Sequence, residues 1–181
     1  MKKNRIILIV LLISVFSLSC EKWAAQMPWQ GKNTPNKNIE VPATLHMGQD
    51  DEELARIAQN AQDSLPLFFR HLLRPARGES DFRLKYPFRA DPGSGFGMEQ
   101  LWLSDIQFKD GVYYGLVANT PFYIATMKKG DTVTFDASEI SDWAYVRDGK
   151  ITGGLSIKYL LGQIPEHELS EEQRAILTMF E

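Results

Sequence analysis

The sequence predicts an α+β domain in which an antiparallel, strongly bent sheet or small partial barrel carries N-terminal helices and a short C-terminal helix. Three observations carry this prediction. An apolar stripe with helical spacing follows Asp50, two Asp-Gly pairs separate strand-like runs in the middle of the chain, and Ser170 opens a segment with capping-box spacing. Two-residue turns join antiparallel strands, so we expect the sheet to be antiparallel.

The helical stripe begins after a run of acids from Asp50 to Glu53, whose negative charge is favourable at a helix N-terminus. Apolar residues then recur every three or four positions as far as Leu65, and again from Leu67 to Leu73. Pro66 has no backbone N–H to donate. We therefore expect the helix to kink or restart there, with Ser64 as the cap of the second part.

The middle of the chain is strand-like. Phe82 to Phe88 is the first candidate strand, and Pro87 within it favours an edge position, because proline cannot donate to a ladder. Asp110-Gly111 and Asp148-Gly149 each predict a two-residue hairpin turn, since both central residues of such a turn need positive φ.

A two-residue turn also sets the register of the strands that it joins. The expected pairs are Phe108–Tyr113, Ile106–Gly115 and Ser104–Val117 in the first hairpin, and Tyr145–Thr152 and Trp143–Gly154 in the second. This register places Trp102 and Val117 on the same face of the sheet. In the second hairpin the strand glycine would leave the space that the indole of Trp143 fills.

The C-terminal part predicts two short helices. Leu155 to Leu161 is the first candidate. In the second, Ser170 and Gln173 have the spacing of a capping box. The apolar residues that would form its inner face are Ile176, Leu177 and Phe180.

The N-terminus resembles an export signal that ends at the one cysteine of the chain. Met1 to Arg5 is basic, Ile6 to Phe16 is apolar and uncharged, and small or apolar residues lead to Cys20. The apolar run is shorter than the roughly 20 residues that span a bilayer, so we expect cleavage. A lone cysteine at this place predicts lipid attachment, whereas an ordinary signal peptidase site would leave Cys20 a free thiol.

This interpretation divides the chain into a lipoprotein signal peptide (residues 1–19), a flexible tether (20–48) and a single globular domain (49–181). The tether is rich in proline, glycine and asparagine, a composition that cannot bury much apolar surface. Trp23 and Trp29 are its exceptions. They would lie at the lipid headgroup layer or pack on the domain.

Composition excludes several functional classes. The chain has 20 basic and 23 acidic residues, and the leader takes three of the basic ones, which leaves 17 against 23 and a balance of −6. That acidic balance argues against nucleic acid as a partner. One cysteine allows no internal disulfide and no four-cysteine zinc site. The three histidines fall in separate segments, so the sequence predicts no metal site and no cofactor.

The candidate binding surface consists of Trp102, Asn119, Asp142 and Trp143. An amide and a carboxylate between two indoles could line a small pocket with aromatic walls. Structural roles compete with this interpretation. Asn119 could shape the loop before Pro121, and Asp142 could serve a turn or cap.

An alternative site would be catalytic. Glu99, Asp105 and Asp142 lie near strand ends, and two carboxylates at a suitable separation can hydrolyse a glycosidic bond. An envelope location makes a cell-wall polysaccharide a conceivable substrate. Turn and cap roles would explain the same acids without catalysis.

A set of short motifs along residues 52–177 resembles domain of unknown function 2314, the bacterial family that includes the YegJ-like proteins. The matching pieces are Leu65-Pro66 with Phe68, Glu99 with Leu101-Trp102-Leu103, Gly115-Leu116 with Asn119 and Pro121, Lys129 to Val133, Ile140 to Trp143, and Gly149-Lys150 with Gly153-Gly154. The resemblance implies a compact α+β domain and implies no established reaction.

The sequence thus predicts a lipoprotein held in the cell envelope by Cys20, at the outer membrane rather than the inner one. We expect its domain to be a non-enzymatic binding or structural module with a protein or small-molecule partner. The alternatives are an envelope hydrolase that uses paired carboxylates and an immunity-like protein that binds a toxin.

Overall fold

The computed structural model describes residues 51–180, and within them it confirms the α+β class. The helices are α1 (Glu52–Leu73), α2 (Leu155–Gly162) and α3 (Glu171–Met179). The strands are β1 (Glu79–Arg89), β2 (Met98–Lys109), β3 (Val112–Val117), β4 (Thr132–Phe135), β5 (Asp142–Arg147) and β6 (Lys150–Gly153). They form one open sheet in the order β4-β3-β2-β1-β5-β6, in which all neighbouring strands are antiparallel. The predicted signal peptide, Cys20 and the predicted tether lie outside the described residues.

Helix α1 is continuous, so the predicted restart at Pro66 is wrong. The helix starts at Asp51, whose carboxylate accepts hydrogen bonds from the backbone of Glu53 and Leu54. Ser64 is not a cap. Its hydroxyl donates back to Asn60 O at 2.6 Å. The helix persists through Pro66 because Leu65 and Phe68, on either side of the proline, are both buried against the sheet.

Strand β1 is central rather than an edge, which corrects the expectation from Pro87. Pro87 pairs with β2 through Gln100, but the pairing of β1 with β5 ends at Lys85. Backbone groups two residues apart face the same side, and Lys85 O accepts from Ser141 N on the β5 side. The nitrogen of Pro87 therefore faces a position before the first residue of β5. No strand partner lies there to accept a hydrogen bond from the backbone of residue 87.

Both Asp-Gly turns are confirmed, but the first hairpin changes register. Asp110 and Gly111 have φ of 53° and 82°, and Phe108 faces Tyr113 as predicted. A bulge then shifts the pairing by one residue. Ser104 faces Leu116, so the predicted pair Ser104–Val117 is wrong, and the predicted pair Ile106–Gly115 falls within the bulge. Val117 shares a face with Leu103 instead of Trp102.

The second hairpin keeps its predicted register. Tyr145 faces Thr152, and Gly154 N donates to Trp143 O at 2.8 Å. The indole of Trp143 lies over Gly153, one residue before the predicted glycine. A Cβ on Gly153 would lie 2.6 Å from a carbon of that ring.

The sheet buries both of its faces. On the α1 face, Phe68 of the helix packs against strand residues such as Leu84 and Leu103, which are fully shielded. On the α2–α3 face, Trp102 and Ala144 pack against Ile157 and other residues of α2 and α3. The predicted capping box of Ser170 and Gln173 is present at the start of α3. Among the described residues, no helix combines the length and hydropathy needed to cross a membrane.

Candidate functional site

The four predicted recognition residues do not form one exposed surface. Asn119 is buried, and its Oδ1 accepts a hydrogen bond of 2.8 Å from Trp102 N, which ties the loop after β3 to β2. Trp102 lies on the α2–α3 face of the sheet, whereas Trp143 lies on the α1 face, where its Nε1 donates to Ser64 Oγ at 2.9 Å. Both indoles are less than a tenth exposed.

Asp142 belongs to a buried polar cluster. Its Oδ2 accepts from Ser156 N at 2.8 Å and from Ser156 Oγ at 2.6 Å, and its Oδ1 accepts from Trp143 N. Lys85 Nζ donates to Ser156 Oγ at 3.0 Å and lies over the Trp102 ring. Burial raises the pKa of Asp142 and lowers the pKa of Lys85. The cluster joins the first turn of α2 to β1 and β5.

The three candidate catalytic carboxylates are not brought together. Glu99 lies on the α1 face by strand alternation, whereas Asp142 lies on the opposite face. Glu99 accepts from Phe122 N and Tyr123 N, at 2.7 and 2.9 Å. Asp105 is exposed and six positions further along β2, or about 20 Å of extended chain. Acid pairs of glycosidases need separations of roughly 5–10 Å, so this arrangement does not provide one.

The structure instead presents a cleft where the sheet splits. The pairing of β1 with β2 runs from Arg89↔Met98 to Leu84↔Leu103, and no β1–β2 pair follows among the described residues. Beyond this point β1 continues only with β5, and β2 continues only with β3. The two strands diverge and leave a cleft of about 890 Å³ between them.

Two β-bulges accompany the split, one on each diverging strand. On β1 the register with β5 shifts between Ser80 and Arg83, and Asp81 has φ of 54°. On β2 the register with β3 shifts between Ser104 and Gln107, and Asp105 has φ of 48°. Bulges bend a strand and increase its twist. The matched pair explains why the strands separate at the same level.

The cleft is lined by polar, charged and apolar side chains. Arg83 and Lys109 contribute positive charge, while the two bulge aspartates and Asp110 contribute negative charge. Apolar lining comes from α1 and the two strands, including Leu72, Phe82 and Ile106. Arg83 is 1% exposed and lies at the depth of the sheet. A cleft with charges of both signs beside apolar surface is suited to a ligand that carries both charged and apolar groups.

Glu79 lies at one wall of the cleft in a closed network. Its carboxylate accepts from Ala76 N at 2.8 Å and from Arg147 at 2.6 and 3.0 Å, and His71 Nδ1 lies 3.0 Å from it. Burial opposes ionisation of Glu79, but the Ala76 N–H, Arg147 and His71 together lower its pKa to about 2. His71 also stacks on Tyr145 at 5.4 Å. The network fixes the end of α1 to β1 and β5.

The sequence analysis did not identify this cleft. A weak signal was present, because the dipeptide Ser-Asp occurs at both bulges, as Ser80-Asp81 directly after the charged Glu79 and as Ser104-Asp105 within an otherwise apolar run, but it also occurs as Ser141-Asp142 at the start of β5. Aspartate is depleted in strands and tolerates positive φ. A metal centre is also not indicated, since the described part of the chain has no group of three or more histidine, cysteine and acidic residues placed to hold an ion.

These features define an open-sheet α+β domain with a split-strand cleft. The chain belongs to a bacterial family described as "Uncharacterized protein conserved in bacteria (DUF2314)", whose model matches residues 51–177. The match covers the helices and strands of the domain almost completely and confirms the family resemblance drawn from its motifs.

Two curated relatives are similar to this chain. A "Putative ankyrin repeat protein" of Neisseria meningitidis serogroup B is 33% identical over 135 residues, which is 72% of this chain and 53% of that protein. The "Uncharacterized protein YegJ" of Escherichia coli K12 is 34% identical over 73 residues, which is 40% of this chain and 48% of that protein. The chain thus spans about half the length of each relative. No solved structure matches.

Proposed function

We propose that this chain is a lipoprotein of the bacterial cell envelope whose folded domain is a non-enzymatic binding module. In this proposal Cys20 carries the acyl chains, residues 20–48 are the tether, and the outer membrane is the attachment site. The basic and apolar leader that ends at the lone cysteine supports the anchor. Several buried acyl chains would hold the protein on a membrane almost permanently.

The split-strand cleft is the observation that supports the binding role. The candidate acids Glu99 and Asp142 accept hydrogen bonds from backbone N–H groups, which gives both carboxylates structural partners. The cleft, in contrast, combines charged, polar and apolar lining within one cavity. A binding module therefore accounts for these residues better than a hydrolase does.

We further propose that the ligand is an extended peptide segment. The edges of β1 and β2 that face each other across the cleft each run for about five residues, or roughly 17 Å of extended chain. Strand edges bind extended peptides through backbone hydrogen bonds, and neighbouring pockets read alternate side chains. Lys109 and the two bulge aspartates, Asp81 and Asp105, would supply that selectivity.

The anchor is tested by labelling with radioactive palmitate in a bacterium that makes the full chain. We expect label on the wild type and none on Cys20→Ala, which would also leave the membrane fraction. Equal absence of label on both proteins would refute the anchor.

The binding role is tested with random heptapeptides selected on the immobilised full chain. A selected peptide should slow backbone amide exchange at residues 80–83 and 104–107, which border the cleft, and leave amides of α2 unchanged. Photo-crosslinking from an unnatural amino acid at Gln107 should attach the peptide, whereas the same group at the exposed Gln163, directly after α2, should not. Failure to select any peptide, or protection elsewhere, would refute peptide binding in the cleft.

A further inference from the structure

One end of the sheet carries an apolar surface that we call the aromatic end, formed by Phe96, Phe122 and Tyr123. Phe122 is 72% exposed and Phe96 37%. The rings of Phe96 and Tyr123 lie 4.2 Å apart, and Phe122 precedes Tyr123 in the same loop. These apolar groups therefore belong to one surface rather than to scattered positions.

The loop that displays Phe122 is held in place from beneath. Glu99, which is buried, accepts from Phe122 N and Tyr123 N. Asp91 N donates to Tyr123 O at 2.7 Å, and the Asp91 carboxylate accepts from Ala125 N at 2.7 Å. Two consequences follow. The backbone that carries the Phe122 ring is held in place. The carboxylates of Glu99 and Asp91 are occupied by hydrogen bonds from backbone N–H groups.

The aromatic end lies at the end of the domain where the described chain begins. Strands β2 and β5 are both antiparallel to β1, so they run in the same direction; the first residue of β2 pairs with Arg89, and the first residue of β5 pairs with Lys85, four positions nearer the middle of β1. Met98 is the first residue of β2 and Asp142 is the first of β5. Ser156 of α2 binds Asp142, and Tyr159 of the same helix donates to Asp51 at 3.1 Å. Asp51 and the aromatic end are therefore on the same side of the molecule.

We propose that the aromatic end rests in the headgroup layer of the membrane that holds the lipid anchor, with Phe122 inserted. This inference rests on the proposed acylation of Cys20. Thirty residues separate Cys20 from Asp51, and a chain of that length spans at most about 100 Å, so the anchored membrane is within reach of the side of the domain that carries the exposed rings. Aromatic side chains are favoured at the membrane interface.

The net charge of the chain favours apolar contact, rather than attraction to anionic lipid, as the main interaction with the membrane. The chain without its leader has a balance of −6, which does not attract it to anionic lipid. At the aromatic end itself, Arg89 is exposed and pairs across the ladder with Met98. A guanidinium at this end of the sheet can bind a lipid phosphate.

The test uses the acylated full chain in vesicles of phosphatidylethanolamine and phosphatidylglycerol. A nitroxide label is attached to Phe122→Cys or to the matched control Phe108→Cys. Phe108 is 61% exposed beside the β2–β3 turn, at the opposite end of β2. Acylation of Cys20 leaves the new thiol as the one labelled. We expect the ratio of collisions with oxygen to collisions with a water-soluble nickel complex to be several-fold higher at position 122 than at position 108.

Each other outcome overturns the inference. A label at 122 that is as accessible to nickel as the label at 108 would show that the aromatic end faces water. A label shielded from both reagents, with dipolar broadening between labels, would show a second copy on this surface. A mature chain whose mass shows no acyl groups and a labelled Cys20 would refute the proposed anchor as well, whereas an acylated chain with a water-exposed label refutes this inference alone.

Discussion

At the scale of single residues, buried carboxylates in this domain act as acceptors that fix the backbone. Asp142 holds the first turn of α2, and Glu99 holds the loop that contains Phe122. A carboxylate that accepts hydrogen bonds from two N–H groups can satisfy these donors where the chain turns and no ladder supplies a carbonyl partner. The sequence could not show this, because turn acids and catalytic acids are the same residue types.

The hydroxyl of Ser156 is expected to contribute to stability. It accepts from Lys85 Nζ and donates to Asp142 Oδ2, and the residue is 3% exposed. Ser156→Ala leaves both charged groups without this partner, so we expect a loss of about 1–3 kcal/mol in the free energy of unfolding measured with urea.

A matched control for Ser156 is Ser138, whose hydroxyl also donates to an aspartate, Asp136, but on an exposed turn. Ser138→Ala should change the free energy of unfolding by no more than about 0.5 kcal/mol. Equal losses in the two variants would contradict a special role for the buried cluster.

Glu79 gives the domain a specific acid sensitivity. Its pKa in the folded protein is about 2, against an ordinary value of 4.5. A lowered folded pKa contributes stability that is fully present above the ordinary value and is lost as the pH falls toward the folded one. We therefore expect the free-energy difference between wild type and Glu79→Gln to shrink as the pH falls from about 4.5 to about 2. The free energies are measured by urea unfolding at each pH. A difference between the two proteins that stays constant over that range would contradict the prediction.

At the scale of elements, α1 is held to the sheet by one deeply buried ring. Phe68 is fully shielded and meets Phe82 and Trp143, with ring centroids 5.9 and 5.7 Å away. Phe68→Ala should lower the free energy of unfolding by about 3–5 kcal/mol, because it leaves a cavity between helix and sheet. Leu73→Ala at the end of the same helix is the control. Leu73 is 77% exposed, so its loss should be within about 0.5 kcal/mol.

The second hairpin allows backbone strain to be separated from steric contact. Gly149 and Gly153 have φ of 81° and 77°, but only Gly153 has close neighbours, with Trp143 O 2.2 Å from an added Cβ. Gly149→Ala should cost about 1–2 kcal/mol of unfolding free energy through strain alone. Gly153→Ala should cost about 3 kcal/mol or more, because the strand and the indole must also move. Equal costs would show that Trp143 does not pack over Gly153.

The elements that were predictable from sequence are those set by local chemistry. Asp110-Gly111 and Asp148-Gly149 require positive φ, and Ser170 with Gln173 supplies reciprocal caps. The register beyond the first turn was not predictable by counting, because Asp105 adopts positive φ inside β2 and adds a residue to one strand. Continuity of α1 through Pro66 likewise depended on tertiary packing of its neighbours rather than on local preference.

At the scale of the whole molecule, the Ser-Asp dipeptides could mark the two bulges, but the cleft between them could not be predicted from the sequence, since it arises from divergence of two strands. Trp102 and Trp143 are attractive as a pair in the sequence, but the sheet separates them onto its two faces. Asn119 joins Trp102 through a backbone bond, which a pattern of residue types cannot reveal. The cleft requires two bulges at the same level of adjacent strands. Whether the bulges lie at the same level depends on how β1 and β2 are aligned, which the sequence does not show.

The split also predicts how stability is distributed over the sheet. Amides of the β1–β2 ladder, in residues 84–86, 88 and 99–103, have strand partners and lie between two buried cores, so they should open only with global unfolding. Amides of Asp105 and Ile106 lie in the bulge beside the cleft, where the ladder of β2 with β3 is interrupted, and should exchange faster by at least about two orders of magnitude.

Hydrogen exchange of the full chain, followed residue by residue, measures both sets. Strand β3, which pairs with β2 and β4, is the internal control and should stay slow. Slow exchange at Asp105 and Ile106 in the absence of ligand would mean that the strands close in solution, and the cleft would then not be a binding site of the free protein.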